Sequence, residues 1–220
     1  YAADVRQSLG LTEGELLVLQ PTRVVKRKGI EHAIELVRRL GRPARLVISH
    51  ASGDEGHDYE RRVREYAQLM GVKTLFVSDI IDERRGRTAD GRKVYALEDI
   101  YPHADLVTSP SSYEGFGNAF LEAVYFRKPI LLNTYAIYQL DIRPKGFEVI
   151  EIDGYVSEEA LERTRRVLDD AGYREAMVAN NYAVARRCFD FDVLRRKLRN
   201  LLGDGRVCGL EGEVPCRERA

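Results

Sequence analysis

The sequence predicts an α/β protein organised as a doubly wound parallel sheet with helices on both faces, and three observations predict it. Short apolar runs alternate with amphipathic stretches along most of the 220 residues. Each run has the length of a strand buried on both sides, as parallel strands are. The stretches between runs are long enough to be the crossovers that parallel strands require, and such crossovers are right-handed.

The first strand is Leu16 to Leu19. Ile30, Ala33, Ile34, Val37 and Leu40 then share one helical face, and Gly41 stands where a left-handed cap would end the helix. Arg45 to Ser49 reads as the second strand, and Asp58 to Met70 as a charged helix with Val63, Tyr66, Ala67 and Met70 inward. Thr74 to Val77 is the third. The polar run from Asp82 to Lys93 that follows it is an exposed insertion, read as a solvated loop rather than an acceptor-side element. A short helix at Leu97 to Tyr101, a strand at Leu106 to Thr108, a helix near Gly117 to Phe126 and a strand at Ile130 to Leu132 continue the alternation. After a strand at Phe147 to Ile152 the remainder is helical. Ser157 is the expected N-cap of the next helix, with Glu158 and Glu159 favourable in its first turn. The last helix carries Phe191, Leu194, Leu198, Leu201 and Leu202 on one face, with Asp190 as its cap. One domain over 1–202 and a loose tail over 203–220 are expected.

Composition narrows the function classes. With 35 basic and 35 acidic side chains the formal net charge is zero, so no global attraction draws the chain to nucleic acid or anionic lipid. No apolar run approaches the roughly 20 residues of a membrane helix. The start at Tyr1 is neither a signal peptide nor an initiator Met, so the chain reads as an internal piece of something longer. Cys188, Cys208 and Cys216 are an odd number without metal-ligand spacing, so a reducing, cytoplasmic setting is expected.

Two loops carry the chemistry. Ser109 to Glu122 lies between a strand end and a helix start, where such a sheet binds ligands. Gly115 and Gly117 lack Cβ atoms, so backbone amides there can approach an anion, and the helix start adds partial positive charge. Glu114 belongs to the loop and Glu122 to the helix, where its carboxylate is placed to read a vicinal diol such as ribose. Arg23 to Gly29 follows the first strand, and four of its seven residues are cationic. Such a cluster suits an anion, with Arg forking onto phosphate and Lys supplying a compact charge. The plainer readings are turn chemistry for the glycines and a solvated turn for the cations. Neither loop fits a dinucleotide fingerprint or a Gly-Lys-Ser/Thr phosphate loop.

The two motifs together, RVVKRKG and, about ninety residues later, PSSYEGFGNAFLEAVYFRKPILL, resemble the C-terminal half of the retaining glycosyltransferases of family 4. That family is built on the two-domain GT-B scaffold, each half Rossmann-like. The likeness runs from about Leu16 to Leu132 and more loosely to Leu202. It implies that Arg23 and Lys28 bind the diphosphate of a nucleotide-sugar donor and that Glu114 contacts the donor sugar, the three catalytic assignments. Glu122 would hold the ribose, with Gly115, Phe116, Gly117 and Asn118 along sugar and phosphate, and Ser78 to Ile81 beside the base. It further implies a metal-independent hexosyltransferase with no cofactor. The acceptor would be bound by an N-terminal domain absent from this chain, so this piece alone would bind donor but hardly turn over. Alternatives are a sugar-nucleotide epimerase or phosphorylase on the same scaffold, or a non-catalytic nucleotide-sugar-binding module. The sequence departs from the family where a Gly-rich stretch usually follows the strand at Leu132. Here Asn133 to Asp141 stands instead, so backbone contacts to donor are not carried over.

Other residues are read as structural. His50 and His57, with Asp54, Glu55 and Asp58, lack metal-ligand spacing. His32 and His103 are assigned to the surface. The basic run from Arg186 to Arg199 is read as solvated helix faces in preference to a peripheral contact with acidic lipid. Cys188 is expected to pack beside Phe189.

Overall fold

The computed structural model describes residues 1–52 and 57–202. The predicted tail at 203–220, with Cys208 and Cys216, and the acidic pair Asp54 and Glu55 lie outside the described residues. The chain forms two compact units, Tyr1–Ala185 and Arg186–Ala220. A 3-10 turn at Ala2–Asp4 and α1 (Val5–Ser8) open the first unit. Then come β1 (Leu16–Gln20), α2 (Ile30–Leu40), β2 (Ala44–Ile48), α3 (Asp58–Leu69) and β3 (Lys73–Phe76). After them run β4 (Gly86–Arg87), β5 (Lys93–Val94), α4 (Leu97–Ile100), β6 (Leu106–Ser109), α5 (Asn118–Tyr125) and β7 (Ile130–Asn133). The remaining elements are β8 (Ile150–Ile152), α6 (Glu158–Asp169), α7 (Ala171–Phe189) and, within the second unit, α8 (Phe191–Leu202).

Six parallel strands form the main sheet in the order β3-β2-β1-β6-β7-β8. The chain winds outward from β1 to β3 and then returns to lay β6 on the other side of β1. That reversal is a topological switch point, where the loops leaving β1 and β6 diverge to opposite faces and open a crevice. Asp105 fixes the register of the two central strands. Its carboxylate accepts from the Leu17 amide at 2.7 Å and pairs with Arg6 at 3.2 Å, while its own amide donates to the Leu17 carbonyl at 2.9 Å.

The helices form as their spacing predicts. Ile30, Ala33, Ile34, Val37 and Leu40 are all buried against the sheet, and Gly41 ends α2 in the left-handed region. Burial of each of the four larger side chains is worth about 1.5–3 kcal/mol relative to exposure. Ser157 caps α6, its hydroxyl accepting from the Ala160 amide at 3.1 Å, a contact worth about 1 kcal/mol. No described helix is long and apolar enough to cross a membrane. Within the second unit, Arg186 pairs with Asp190 and Arg195 with Asp192, as solvated helix faces do.

Two elements differ from expectation. The strand expected from Phe147 is shorter, because the amide and carbonyl of Glu148 are both bonded to the side chain of Asn181 on α7, each at 2.7 Å. The polar insertion is exposed, yet β4 and β5 make it an antiparallel hairpin rather than a featureless loop. Asp90-Gly91 supplies the turn, with Gly91 at φ +85°, and the Tyr1 hydroxyl donates to carbonyls on both strands at 2.8 Å. Arg85 anchors the hairpin base by forking onto the buried Asp99 at 2.6 and 2.9 Å.

Gly29 is where the two central loops meet. It sits at φ +59°, and a Cβ there would lie 2.5 Å from the Pro110 carbonyl oxygen. Gly29→Ala should therefore melt several degrees below Gly14→Ala, whose φ is +76° but whose Cβ would meet open space. About 1 kcal/mol shifts Tm by roughly 2–4 °C in a domain of this size. Thermal melts of both variants check this; equal losses would mean that positive φ alone sets the cost.

Candidate functional site

The loop after β1 is pinned from below by buried polar contacts. The Gln20 amide nitrogen donates to Thr22 at 3.0 Å, and its oxygen accepts from the Thr108 hydroxyl on β6 at 2.6 Å. Lys26–Lys28 then turn as a 3-10 helix. The Ser112 amide in the loop after β6 donates to the Arg27 carbonyl at 2.9 Å. Lys28 forms an ion pair with Glu114, both side chains only 12% exposed. Arg27 reaches the Tyr113 carbonyl at 3.4 Å and the other oxygen of Glu114 at 3.5 Å. The two loops predicted to share a ligand are thus bonded to each other.

Gly117 stands before α5 at φ +100°. A Cβ on it would lie 2.6 Å from the Tyr135 hydroxyl, which itself donates to the Phe116 carbonyl at 2.7 Å. Gly115 has open space around it. The need for glycine at 117 therefore comes at least from backbone conformation and from Tyr135, in line with the turn-chemistry reading of that position. Burial first, and the nearby Glu114 charge second, push the Tyr135 phenol up to about 12, so it remains a donor at neutral pH.

Two adjoining cavities open at the switch point. One, of about 500 Å³, is lined by Arg23, Arg27, Lys28, Glu114, Gly117 and Asn118 among others. The next, of about 790 Å³, has Ile81, Asp82, Glu83, Tyr101, Tyr125 and Phe126 in its wall. His50, Leu97 and Glu122 belong to both. Tyr101 is 1% exposed, stacks on Phe126 at 4.9 Å between ring centroids, and donates to Glu122 Oε2 at 2.7 Å. Burial, reinforced by the Glu122 charge, raises the Tyr101 phenol and keeps it protonated.

Most predicted residues converge. Arg23, Lys28, Glu114, Phe116, Gly117, Asn118 and Glu122 line the smaller cavity and Ile81 the larger, whereas Gly115 and Ser78 line neither. Sequence reasoning missed Arg27, His50, Tyr101 and Tyr135. For His50 a signal existed: it stands just beyond the carboxyl end of β2, a ligand-binding position in this architecture. Desolvation, aided by Arg23 and Lys28 and opposed by Glu122, lowers its pKa. Among the described residues no group of three or more His, Cys, Asp or Glu could hold a metal ion.

The strand order and the crevice define the class: an α/β, Rossmann-like doubly wound sheet with a ligand crevice at its switch point. Residues 91–184 match the family described as Glycosyl transferases group 1. It is 32% identical to a mannosylglucosylglycerate synthase of Petrotoga mobilis over 69% of this chain and 39% of that protein. To the enzyme of the same name from Thermotoga maritima it is 28% identical, over 88% of this chain and 51% of that one. The chain thus spans about half or less of these relatives. Its fold is similar to that of Anabaena HepE in complex with UDP-glucose, with a TM-score of 0.71 and 19% identity over 91% of this chain and 52% of that one. Sucrose-phosphate synthase from Thermosynechococcus elongatus shares the fold at a TM-score of 0.69 and 20% identity, over 91% of this chain and 48% of that one.

The contact between Gly117 and Tyr135 makes a double-mutant cycle informative. Gly117→Ala should destabilise the parent more than it destabilises Tyr135→Phe, because removing the hydroxyl removes the clash and leaves only the positive-φ cost, about 1–2 kcal/mol. Urea unfolding of the four proteins should give a coupling of about 1 kcal/mol; additive losses would mean the hydroxyl does not restrict position 117.

Proposed function

We propose that this chain is the donor-binding half of a retaining, metal-independent glycosyltransferase that moves a sugar from a nucleoside diphosphate to an acceptor hydroxyl. One observation carries the reading: Arg23, Arg27, Lys28 and the start of α5 line one cavity, and Glu122 stands in the wall shared with the next. A diphosphate suits the cationic side, a ribose suits Glu122, and a base suits the larger cavity beyond it. The acceptor and the groups that act on it are assigned to the part of the longer protein that this chain does not span.

The chemistry follows from charge. As the bond between sugar and diphosphate breaks, its electron pair leaves with the diphosphate, and negative charge grows beside Arg23 and Lys28. Lys28, already held in place by Glu114, can stabilise that charge with little reorganisation. Glu114 neutralises part of the Lys28 charge. A bound donor would place its phosphate and sugar on either side of that pair, with Glu114 turned to a sugar hydroxyl.

Calorimetric titration with uridine, guanosine and adenosine diphosphates, and then with their sugar conjugates, tests the reading. Binding of one base series is expected; binding of none would sink it. The names of the Petrotoga and Thermotoga relatives make mannosyl donors the first conjugates to try. In the full-length enzyme, Lys28→Ala should lower kcat by about 100-fold or more, on the order of 3 kcal/mol, with a much smaller change in donor Kd. Unchanged kcat would remove Lys28 from the reaction.

Tyr101 fixes one oxygen of Glu122 and so sets how the carboxylate meets a diol. Tyr101→Phe keeps the ring and its stacking on Phe126 while deleting that bond. The preference for ribo- over 2′-deoxyribonucleotide should shrink about five- to tenfold, as expected for one hydrogen bond to a charged group. Competition binding reads the ratio, and an unaltered ratio would show that Glu122 needs no such brace.

A further inference from the structure

His50 stands in the wall that the two adjoining cavities share. It follows β2, the neighbour of β1, and with Leu97 and Glu122 it lines both the larger cavity and the cationic one. Its ring is oriented: Nδ1 lies 2.6 Å from the hydroxyl of Ser49, itself 1% exposed. That contact leaves Nε2 as the ring nitrogen available to a ligand. When the Ser49 hydroxyl donates to Nδ1, the proton of the neutral imidazole sits on Nε2. When the ring is charged, Nδ1 donates to Ser49 and Nε2 still carries a proton. In both of these states Nε2 presents a donor; the other neutral tautomer, with Nδ1–H donating to Ser49, leaves Nε2 an acceptor, and a phosphate oxygen beside Nε2 selects against it.

We propose that His50 is a further donor-binding residue, its Nε2–H directed at the phosphate that joins the ribose of a bound nucleoside-diphosphate sugar. The proposal rests on the donor-binding reading above and adds a contact that neither loop supplies. The chemistry of the shared wall selects this atom. A ribose held by Glu122 in the shared wall puts its 5′ phosphate next to the same wall, and His50 is the neutral donor there, between the carboxylate and the cations of the basic loop.

A pH dependence follows. Among the described residues, the charged groups acting on His50 are Glu122 of α5, which favours its protonation, and Arg23 and Lys28 of the loop after β1, which disfavour it. Desolvation is the largest influence and also disfavours the charged ring, so the His50 pKa is lowered from its ordinary value. A bound diphosphate adds negative charge beside Nε2 and raises the pKa. The complex then binds more protons than the free protein, and affinity strengthens as pH falls through the pKa of the complex.

The test uses a sugar nucleotide, because its diphosphate, esterified at both ends, does not itself titrate near neutral pH. The probe is whichever of UDP-glucose, GDP-mannose and ADP-glucose the 220-residue chain binds most tightly. For the parent, affinity should rise three- to tenfold from pH 8 to pH 6, within the limit of tenfold per pH unit for one proton. His50→Gln should keep a donor amide and flatten that dependence. His50→Ala should bind the probe about tenfold more weakly at pH 7, as expected for losing a hydrogen bond to a charged group. It should bind the matching nucleoside, which lacks phosphate, as the parent does. Equal loss of nucleoside and sugar nucleotide would overturn the proposal in favour of a structural or ribose-side role. An unchanged probe affinity, or a pH dependence that persists in His50→Gln, would overturn it outright. If the parent bound none of the three probes, the donor-binding reading itself would fall, an outcome separable from any result on His50.

Discussion

Gly29 lying against the Pro110 carbonyl is the contact on which the rest of the site depends. β1 and β6 are neighbours at the sheet's switch point, about 4.8 Å apart as hydrogen-bonded strands are. Their loops leave side by side, and only a residue without a side chain lets one backbone lie on the other. Given that approach, the Ser112 amide reaches the Arg27 carbonyl, and Glu114 reaches both Lys28 and Arg27. A wedge at position 29 would break all three links together. The loops are therefore one structural unit, although about ninety residues separate them in the chain.

That unit solves an electrostatic problem. Three cations line the smaller cavity, and among themselves they would repel and splay toward water. Glu114 and Glu122 in the same wall offset two of the three charges. A buried ion pair contributes little net stability, because desolvation of both partners cancels most of the attraction. Its value here is geometric: Lys28 cannot swing out to solvent, where a free lysine would go. The cost of ordering the side chain falls at folding and is not repeated when an anion arrives. A surplus of one positive charge remains, which favours an anion over a neutral ligand.

The main sheet was legible in the sequence because buried parallel strands read as apolar runs and their helices keep the 3.6-residue period. Gly41 and Ser157 marked helix ends by chemistry that acts within a few residues. Phe147 to Val149 misled for a related reason: the run is apolar enough for a strand, but its backbone partner is Asn181, thirty-three residues on. The basic and glycine loops were legible as composition, and their meeting as a consequence of topology. Nothing in RVVKRKG distinguished Arg27 from its cationic neighbours, since only the turn at Lys26–Lys28 decides which side chain faces Glu114. The Tyr101 to Glu122 bond joins a 3-10 turn to a helix across a strand, and no local pattern encodes it.

The departure after β7 shows how such a site keeps its shape with different parts. A glycine-rich stretch there would bring backbone close to the ligand, and this chain has Tyr135 instead, 4% exposed beneath Gly117. Its hydroxyl occupies the Phe116 carbonyl. A carbonyl oxygen free to face the cavity would set its partial negative charge against an anionic ligand. Bonded to Tyr135, that oxygen has a donor facing it, which offsets part of its negative charge beside the start of α5. The same tyrosine that excludes a side chain at 117 thus also improves the polarity of the loop. The two effects cannot be separated by reading either segment alone, because each is defined by the atom the other segment supplies.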